Sequence, residues 1–252
     1  MSGLRDRAIA LAKRTLPPGF RNWIVRMQRR FHLQWPPAGT VRFGSFRRLT
    51  PISPIFAIDR GLPIERYYIE RFLDRYRQDI RGRAMEFGDT FYLDRFGDDR
   101  VVQKDAFSVV AGPGVTIVGD LQGDAPLPSG LFDCIVCTQT LQMIVDMPSA
   151  VRRLHGMLKP GGVLLVTTHG ISKIGRHLDT DHWGEYWRMT QEGARALFRD
   201  HFQGTSEVVG YGNVLAAIST LHGLASSELS AQELDHADRN FDVIVGIRAR
   251  KI

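Results

Sequence analysis

The sequence has few cysteines and no long hydrophobic run. Cys134 and Cys137 are the only cysteines in 252 residues, so no second pair exists to complete a four-cysteine metal site. No apolar run approaches the roughly 20 residues that a membrane-spanning helix needs. The N-terminus has no compact apolar core followed by a small-residue cleavage site. We therefore expect no signal peptide and a cytoplasmic location.

The two cysteines form a C-x-x-C pair, which occurs in redox motifs and in half zinc sites. Their neighbours, in "FDCIVCTQT", have the apolar character of a buried strand. Positions three apart on a strand point to opposite faces of the sheet. We therefore predict that the two sulfurs diverge and that both thiols are structural.

Acidic residues are scarce in the first fifty positions, which contain eleven Lys or Arg against the single acid Asp6. The whole chain carries +6, so the remainder is mildly acidic. Helices are predicted near 4–15 and 20–33, and the second carries apolar residues at helical spacing. Such a basic amphipathic arm can meet anionic lipid, an acidic glycan, nucleic acid or a partner. Packing on its own domain or on a second copy in a homo-oligomer is the favoured alternative.

Strands and helices alternate beyond residue 51. "IERYYIERFLDRYRQDI" has a helical apolar face and follows Pro63. Another helix is predicted to begin at Pro148 and to end at "KPGG". Short apolar runs predict strands at 83–87, 101–104, 115–119, 133–138 and 162–168, and two later strands in "SEVVGYG" and "FDVIVGIRARK". The pattern predicts an α/β domain over 51–252 with a mostly parallel sheet finished by an antiparallel pair.

Residues 127–168, "LPSGLFDCIVCTQTLQMIVDMPSAVRRLHGMLKPGGVLLVTT", resemble the fourth-strand to fifth-strand region of class I S-adenosylmethionine-dependent methyltransferases. The resemblance implies a Rossmann-like fold with a mostly parallel seven-stranded sheet, helices on both faces, and S-adenosylmethionine as cofactor. The charge and spacing described above predict a basic, partly helical N-terminal arm over 1–50 in addition. The family's first motif is E-x-G-x-G-x-G, and the matching positions here are Glu86, Gly88, Thr90 and Tyr92. The last two depart from the motif.

The resemblance also implies where the cofactor binds. Asp105, nineteen residues after Glu86, would receive the ribose hydroxyls at the end of the second strand, and Asp120 would face the adenine amino group. Arg60 would pair with the cofactor carboxylate in place of missing glycine-loop contacts. The residues predicted to bind the cofactor are Glu86, Phe87, Gly88, Asp89, Asp105, Asp120, Leu121, Thr138, Gln139 and Arg60.

"DRGLPIERYYIERFL", "EFGDTFYLDRFG", "DHWGEYWRMT" and "YGNVLAAISTLHGLA" resemble methyltransferase-domain proteins that accompany glycosyltransferases in bacterial glycan and glycolipid pathways. A sugar hydroxyl acceptor needs a general base, and the candidates are His169, directly after the fifth strand, and His182. The residues predicted to contact substrate are Tyr67, Tyr68, Asp181, Tyr186, Trp187 and Arg188. Asp179, Asp181 and His182 could alternatively hold Mg²⁺.

The leading hypothesis is thus an S-adenosylmethionine-dependent O-methyltransferase that acts on a saccharide or glycolipid precursor. The alternative is a catalytically silent methyltransferase fold that binds a glycosyltransferase or a membrane surface through its basic arm. A nicotinamide-dependent dehydrogenase is disfavoured by the "LKPGG" block and the absent glycines. Nucleic-acid methylation is disfavoured because the positive charge is confined to the arm.

Overall fold

The computed structural model describes residues 16–31, 36 and 39–252. The chain divides into two compact units, Met1–Leu49 and Thr50–Ile252. In the first unit, helix α1 spans Pro18–Arg30 and corresponds to the predicted helix 20–33. The helix predicted near 4–15 lies outside the described residues. Among the described residues, no helix combines the length and apolar character needed to cross a membrane.

The second unit is built on a seven-stranded sheet with the strand order β3-β2-β1-β4-β5-β7-β6. Strands β1 to β5 pair in parallel, whereas β7 is antiparallel to both β5 and β6. The predicted parallel sheet with an antiparallel ending is therefore confirmed. The strands are β1 Gly82–Phe87, β2 Val101–Ser108, β3 Ile117–Val118, β4 Phe132–Thr138, β5 Leu158–His169, β6 Ser206–Tyr211 and β7 Ile244–Arg250.

Three strands differ in length from the prediction. β5 begins at Leu158 instead of 162, so "KPGG", which was predicted to end the helix before it, lies within the strand. β2 continues to Ser108 instead of ending at 104, because Ala106 and Phe107 are buried and pair with Glu86 and Phe87 of β1. β3 has only two residues, since the loop before it occupies positions predicted as strand. Residues 109–116 join β2 to β3 without a helix, although parallel neighbours usually need a longer crossover. This shortened crossover leaves the tip of β2 uncovered by a helix.

Six further helices flank the sheet, and the ends of most follow from local chemistry. α2 follows Pro63, as predicted, and α4 begins with a cap in which Asp146 accepts from Ser149 N–H. Thr190 caps α5 in the same way, and Asn213 caps α6. The helices are α2 Ile64–Arg75, α3 Phe91–Phe96, α4 Met147–Met157, α5 Gln191–Phe202, α6 Val214–His222 and α7 Ala231–Asp235.

Two hydrophobic clusters cover the two faces of the sheet. One includes α4 and α5, for example Leu154 and Phe198, and the other includes α2, α3 and α6, for example Phe72. Cys137 belongs to the first cluster and Cys134 to the second, so the divergence of the two sulfurs is confirmed. Burial raises the pKa of the Cys137 thiol to about 12, and both cysteines are free thiols. Neither is poised for redox chemistry.

Candidate functional site

A cleft of about 520 Å³ lies where the carboxyl ends of β1, β2 and β4 meet the short β3. Clefts at this edge are where open α/β sheets place their ligands, and the volume is in the range of small-molecule sites. The lining residues are Phe87, Gly88, Phe107, Ser108, Val109, Asp120, Leu121, Gln122, Thr138, Gln139, Thr140, Met143, Ile144, His182 and Trp183. Seven of these were predicted as site residues from the sequence: Phe87, Gly88, Asp120, Leu121, Thr138, Gln139 and His182.

The turn after β1 contains one glycine, Gly88, which lines the cleft. Gly88 has a φ of 89°, in the left-handed region, and a Cβ placed there would meet no atom within 4 Å. The backbone at Gly88 therefore borders open space where a ligand can approach closely. Tyr92 does not fill this space, because its ring is buried in the cluster that contains α2 and α3.

Glu86 and Asp89, both predicted to bind the cofactor, instead organise the turn. The Glu86 carboxylate accepts from the backbone N–H of Tyr92 and of Leu93, each at 2.9 Å, and is only 2% exposed. These are unpaired donors at the start of α3. Asp89 accepts from Phe91 N–H at 3.0 Å. Neither lines the cleft, so both are corrected to capping residues.

Asp105 does not occupy the tip of β2. It lies three residues before the end of the strand, is 4% exposed, and pairs with Arg83 Nε at 2.7 Å. Thr116 Oγ1 also donates to it at 2.9 Å. The structure therefore does not place Asp105 where it was predicted to contact ribose, because β2 continues for three residues beyond it. Ser108 and Val109 occupy the tip, and the apolar run after Asp105 was the signal that could have located them.

The opposite end of the cleft is formed by the loop after β3. Asp120 Oδ1 accepts from Gln122 N–H at 2.8 Å, which folds the loop tightly beside the buried Leu121. The rings of Phe87 and Phe107 lie 4.9 Å apart and supply an apolar wall. The cleft thus combines two aromatic rings, tilted by 53° to each other, with one carboxylate.

The tip of β4 adds a strained polar residue. Gln139 has a φ of 50°, a conformation that costs a non-glycine residue free energy. Its side-chain amide donates to Thr167 Oγ1 at 3.2 Å and its oxygen accepts from Gln142 at 3.0 Å. Strain of this kind persists where surrounding bonds over-determine it, often beside binding sites.

Three residues on the segment before β1 are engaged elsewhere. Arg60 Nε donates to Glu228 at 3.0 Å, and Tyr67 Oη donates to Asp235 at 2.8 Å. Tyr68 is 2% exposed and donates to the carbonyl of Leu234. None of Arg60, Tyr67 and Tyr68 lines the cleft, so their predicted cofactor and substrate contacts are corrected to packing against the α6–α7 segment.

The loop between β5 and α5 brings His182 and Trp183 to the cleft. The buried indole Nε1 of Trp183 has no hydrogen-bond partner. Trp183 was not among the residues predicted from the sequence, which placed Trp187 at the site instead. That neighbour, Trp187, donates its indole N–H to the carbonyl of Ile144 at 2.9 Å and braces the loop instead.

The remaining predicted residues of this loop lie outside the cleft. Asp181 accepts from Arg176 and from His177 N–H, and Tyr186 is 42% exposed. Within the described residues, no group of three His, Cys, Asp or Glu side chains could hold a metal ion, so Asp179, Asp181 and His182 do not form one. The alternative of a magnesium site is not supported by this geometry.

His169 is buried between two carboxylates and does not line the cleft. Its Nδ1 lies 3.9 Å from Glu65 and its Nε2 lies 4.0 Å from Glu185. Burial lowers the pKa of His169 to about 4, although Glu185 acts in the opposite direction. Burial likewise raises the pKa of Glu65, whose carboxylate accepts from Ser172 Oγ at 2.7 Å. His169 is therefore a buried neutral histidine, and its prediction as the base is corrected.

A second cleft, of about 660 Å³, lies at the carboxyl end of β5 beside the start of β7. Arg188, predicted to contact substrate, lines this cleft and pairs with Glu185 at 2.7 Å. The other lining residues are mostly polar: Gly170, Ile171, Met189, Thr190, Gln191, Glu192, Arg195, Arg239, Asn240 and Asp242. The strand order places the two clefts on one edge of the sheet, separated by β5 and the segment from Glu185 to Met189.

The first cleft fits an adenosyl group. Its aromatic wall suits a purine, Asp120 can accept from an amine or a hydroxyl, and Gly88 leaves room for close approach. The orphaned indole of Trp183 is a donor beside the same cleft. The carboxylate expected at the tip of β2 is replaced by the hydroxyl of Ser108, so ribose would be held by a neutral group.

A family model described as "Methyltransferase domain" matches residues 69–206, more than half of the chain. Among curated relatives, a malonyl-[acyl-carrier protein] O-methyltransferase of Serratia marcescens is 25% identical over 121 residues, covering 45% of this chain and 47% of that protein. A ubiquinone/menaquinone biosynthesis C-methyltransferase of Enterobacter sp. (strain 638) is 29% identical over 124 residues, covering 38% and 47%. The chain spans about half the length of the curated relatives it matches.

Two solved structures are also similar. An S-adenosylmethionine-dependent methyltransferase from Mesorhizobium loti is 17% identical, with a TM-score of 0.47, and covers 71% of this chain and 98% of that chain. The N-methyltransferase NodS of Bradyrhizobium japonicum WM9, in complex with S-adenosylhomocysteine, is 15% identical, with a TM-score of 0.46, covering 76% and 89%.

Proposed function

The chain belongs to the methyltransferase-domain family, and from this premise we propose that it is an S-adenosylmethionine-dependent methyltransferase. The observation that supports this most is the cleft at the carboxyl edge of the sheet, open at Gly88 and closed at its far end by Asp120. When bound, the cofactor supplies an electrophilic methyl group on a sulfonium. The chain's own residues bind it, exclude water and position the acceptor, which is how proximity lowers the barrier.

The cleft residues divide into three groups by the chemistry that they offer. Phe87 and Phe107 provide apolar contact for the purine, and Asp120 accepts from its amine. Ser108, at the tip of β2, offers a hydroxyl to the ribose. Gly88 and Gln139 border the methionine end, where a wider turn replaces the glycine-rich one.

For the acceptor we propose a saccharide hydroxyl or a glycolipid precursor. The reacting hydroxyl must enter the first cleft, and the second cleft supports the proposal only as a site for a more distant part of the acceptor, because its carboxylates, guanidinium groups and amides are the partners that polyhydroxylated ligands need. Asn240 and Asp242 can bind hydroxyls, and Arg195 and Arg239 can bind an acidic substituent. The names of the curated relatives indicate other acceptors. The proposal of a saccharide acceptor therefore rests on the residues of the second cleft.

A hydroxyl acceptor must lose its proton as the new C–O bond forms and the S–C bond breaks. His182 is the histidine that lines the first cleft among the described residues, and we assign it the role of general base. The imidazole of His182 would take the proton of an acceptor hydroxyl that enters the first cleft. His169 is not assigned this role, since its side chain is buried and it lines neither cleft.

The cofactor proposal is tested by calorimetry with S-adenosylhomocysteine. Asp120→Ala is expected to weaken binding by roughly 10- to 100-fold, since a hydrogen bond to a charged group contributes about 1.5–3 kcal/mol. Asp124→Ala is the matched control, because Asp124 is an exposed acid in the same loop that does not line the cleft. Equal losses in both variants would show that the loop matters and not the carboxylate of Asp120.

The same measurement decides between an enzyme and the silent binding module predicted as the alternative. If the unmodified chain shows neither heat nor thermal stabilisation at millimolar cofactor, the enzyme proposal fails. For the acceptor, radiolabelled methyl transfer to saccharides is compared with transfer to quinone and acyl-carrier-protein acceptors. A saccharide methyl ether survives mild alkali, whereas a methyl ester is hydrolysed; label found only in ester or C-methyl products contradicts the saccharide assignment.

A further inference from the structure

Helix α1 carries an apolar face whose aromatic residues are exposed and whose Ile24 and Met27 are half-buried. Phe20, Trp23, Ile24 and Met27 recur three and four residues apart, so they share one side of the helix, and Phe31 continues it by one more turn. Phe20 is 49% exposed, Trp23 is 53% exposed and Phe31 is 56% exposed. The rings of Phe20 and Trp23 stack at 5.5 Å, so the aromatic side chains form one surface.

Arginines flank the apolar face of α1, and the guanidinium of Arg30 lies 5.9 Å from the centroid of the Phe31 ring. Arg26 and Arg30 are exposed, and the described residues between 16 and 49 include no Asp or Glu. A helix with an aromatic face flanked by arginines, and with no acid among the described residues 16–49, is suited to the interface of an anionic bilayer. A second copy of α1 is a poor occupant of this face, because it would bring arginines together without an acid to pair with them.

The second unit has an exposed apolar surface of its own, formed by Ile55, Ile58, Ile174 and Leu178, which we call the apolar rim. Ile55 and Ile58 are 50% and 67% exposed, on a turn in which Phe56 has a φ of 59° and Ala57 a φ of 62°. Two consecutive non-glycine residues in the left-handed region cost free energy. The turn is held by Ser53 Oγ, which accepts from Ala57 N–H at 3.2 Å.

The two segments of the apolar rim touch each other beside the first cleft. The ring of Phe56 lies 3.7 Å from Lys173 Nζ and 3.1 Å from where a Cβ on Gly175 would stand. Leu178 in turn packs at Gly184, where a Cβ would stand 3.1 Å from its Cγ. Gly184 follows Trp183, which lines the cleft. Ile174 and Leu178 are therefore on the loop that carries His182 and Trp183, and the turn with Ile55 and Ile58 contacts that loop through Phe56.

We propose that the chain docks on an anionic lipid bilayer, with α1 lying in the headgroup region and the apolar rim providing a second lipid contact. The charge comes from α1, since the acids Asp179 and Asp181 offset the cations of the rim. The rim contributes apolar area at the border of the cleft. Docking of this kind would present the cleft to an acceptor carried in the membrane surface, and it holds whether or not the proposed methyl transfer occurs.

The experiment is cosedimentation of the full chain with vesicles of phosphatidylglycerol and phosphatidylcholine, compared with vesicles of phosphatidylcholine alone. We expect binding to the anionic vesicles only, and a decrease with salt. Arg26→Gln with Arg30→Gln should weaken partitioning by about 25-fold, since each cation near an anionic surface contributes about a factor of five. Trp23→Ser should weaken it by about tenfold or more, because the indole no longer enters the interface.

The apolar rim is tested separately with Ile58→Ser and Leu178→Ser, each expected to weaken partitioning by about tenfold. Val102→Ser is the matched control. Val102 is 81% exposed near the amino-terminal end of β2, whereas the clefts lie at the carboxyl ends of the strands. Circular dichroism melting of each variant shows whether the fold is retained.

Two results would overturn the proposal as a whole, and a third would overturn the part that concerns the apolar rim. Equal binding to both vesicle types, unaffected by the arginine substitutions, would remove the electrostatic contact. Concentration-dependent dimerisation by analytical ultracentrifugation, abolished by Trp23→Ser in the absence of vesicle binding, would assign the face of α1 to a second copy. Ile58→Ser and Leu178→Ser could leave partitioning unchanged while the substitutions in α1 weaken it. In that case the apolar rim does not contact lipid, and the proposed docking is wrong for the second unit.

Discussion

Replacement of Glu86 distinguishes a helix cap from a cofactor ligand. Its Oε2 accepts from two buried N–H groups, of Tyr92 and Leu93, and Glu86→Ala leaves both unpaired. An unsatisfied buried donor costs about 1–3 kcal/mol, so the free energy of unfolding should fall by about 2–6 kcal/mol. Glu86→Gln keeps one oxygen that can accept from both donors and removes a buried charge. We expect it to leave the fold intact.

The contribution of Glu86 to the free energy of unfolding should decrease as pH rises. Burial is the main cause that raises the pKa of Glu86, from 4.5 to about 7. Below pH 4.5 the carboxyl is protonated in both the folded and the unfolded chain, and its contribution to stability is fully present. As pH rises from about 4.5 to 7, the unfolded chain loses the proton first, so stability falls by up to about 3 kcal/mol, at about 1.4 kcal/mol per pKa unit. Glu86→Gln should lack this decline.

The assay is urea denaturation followed by circular dichroism at pH 5 and pH 8, for the unmodified chain and for Glu86→Gln. The difference between their unfolding free energies should shift in favour of Glu86→Gln at the higher pH. Calorimetry of Glu86→Gln with S-adenosylhomocysteine should give the affinity of the unmodified chain. A loss of affinity of about tenfold or more, with an unchanged stability profile, would refute the assignment of Glu86 as a cap.

Three further substitutions test other parts of the fold and the cleft. Asp105→Ala should lower the unfolding free energy by about 2–4 kcal/mol, because it leaves the Arg83 guanidinium without its carboxylate partner. The cofactor affinity measured by calorimetry should stay unchanged, and a large loss of affinity would show that Asp105 belongs to the cofactor site. Gly88→Ala should lower the unfolding free energy by about 1–2 kcal/mol and should also weaken cofactor binding. Gly114→Ala, at a residue with a φ of 79°, should lower the unfolding free energy without changing cofactor binding. Equal cofactor affinities of the two variants would contradict the placement of Gly88 at the cofactor cleft. Asn213→Ala should lower the melting temperature, since its buried side chain caps α6 and donates to two carbonyls, and an unchanged melt would argue against that network.

The clefts show how much a pattern can predict about a site. Gly88, Asp120 and Gln139 follow apolar strands directly, and the carboxyl ends of parallel strands meet at one edge. Their convergence could thus be predicted from their positions alone. The second cleft could not, because it joins residues 170–171, 188–195 and 239–242, which antiparallel pairing of β7 with β5 brings together.

The sequence by itself determined the family, the alternation of strands and helices, the antiparallel ending and the divergence of the two cysteines. These follow from side-chain periodicity and turn residues, which act over a few positions of the chain. Only the tertiary structure decided that Glu86 caps a helix, that Asp105 pairs with Arg83 and that Tyr68 is buried. A carboxylate or a tyrosine looks the same in a sequence whether it meets a ligand or a neighbouring segment. The partner is set by register and packing between strands and helices that are distant along the chain.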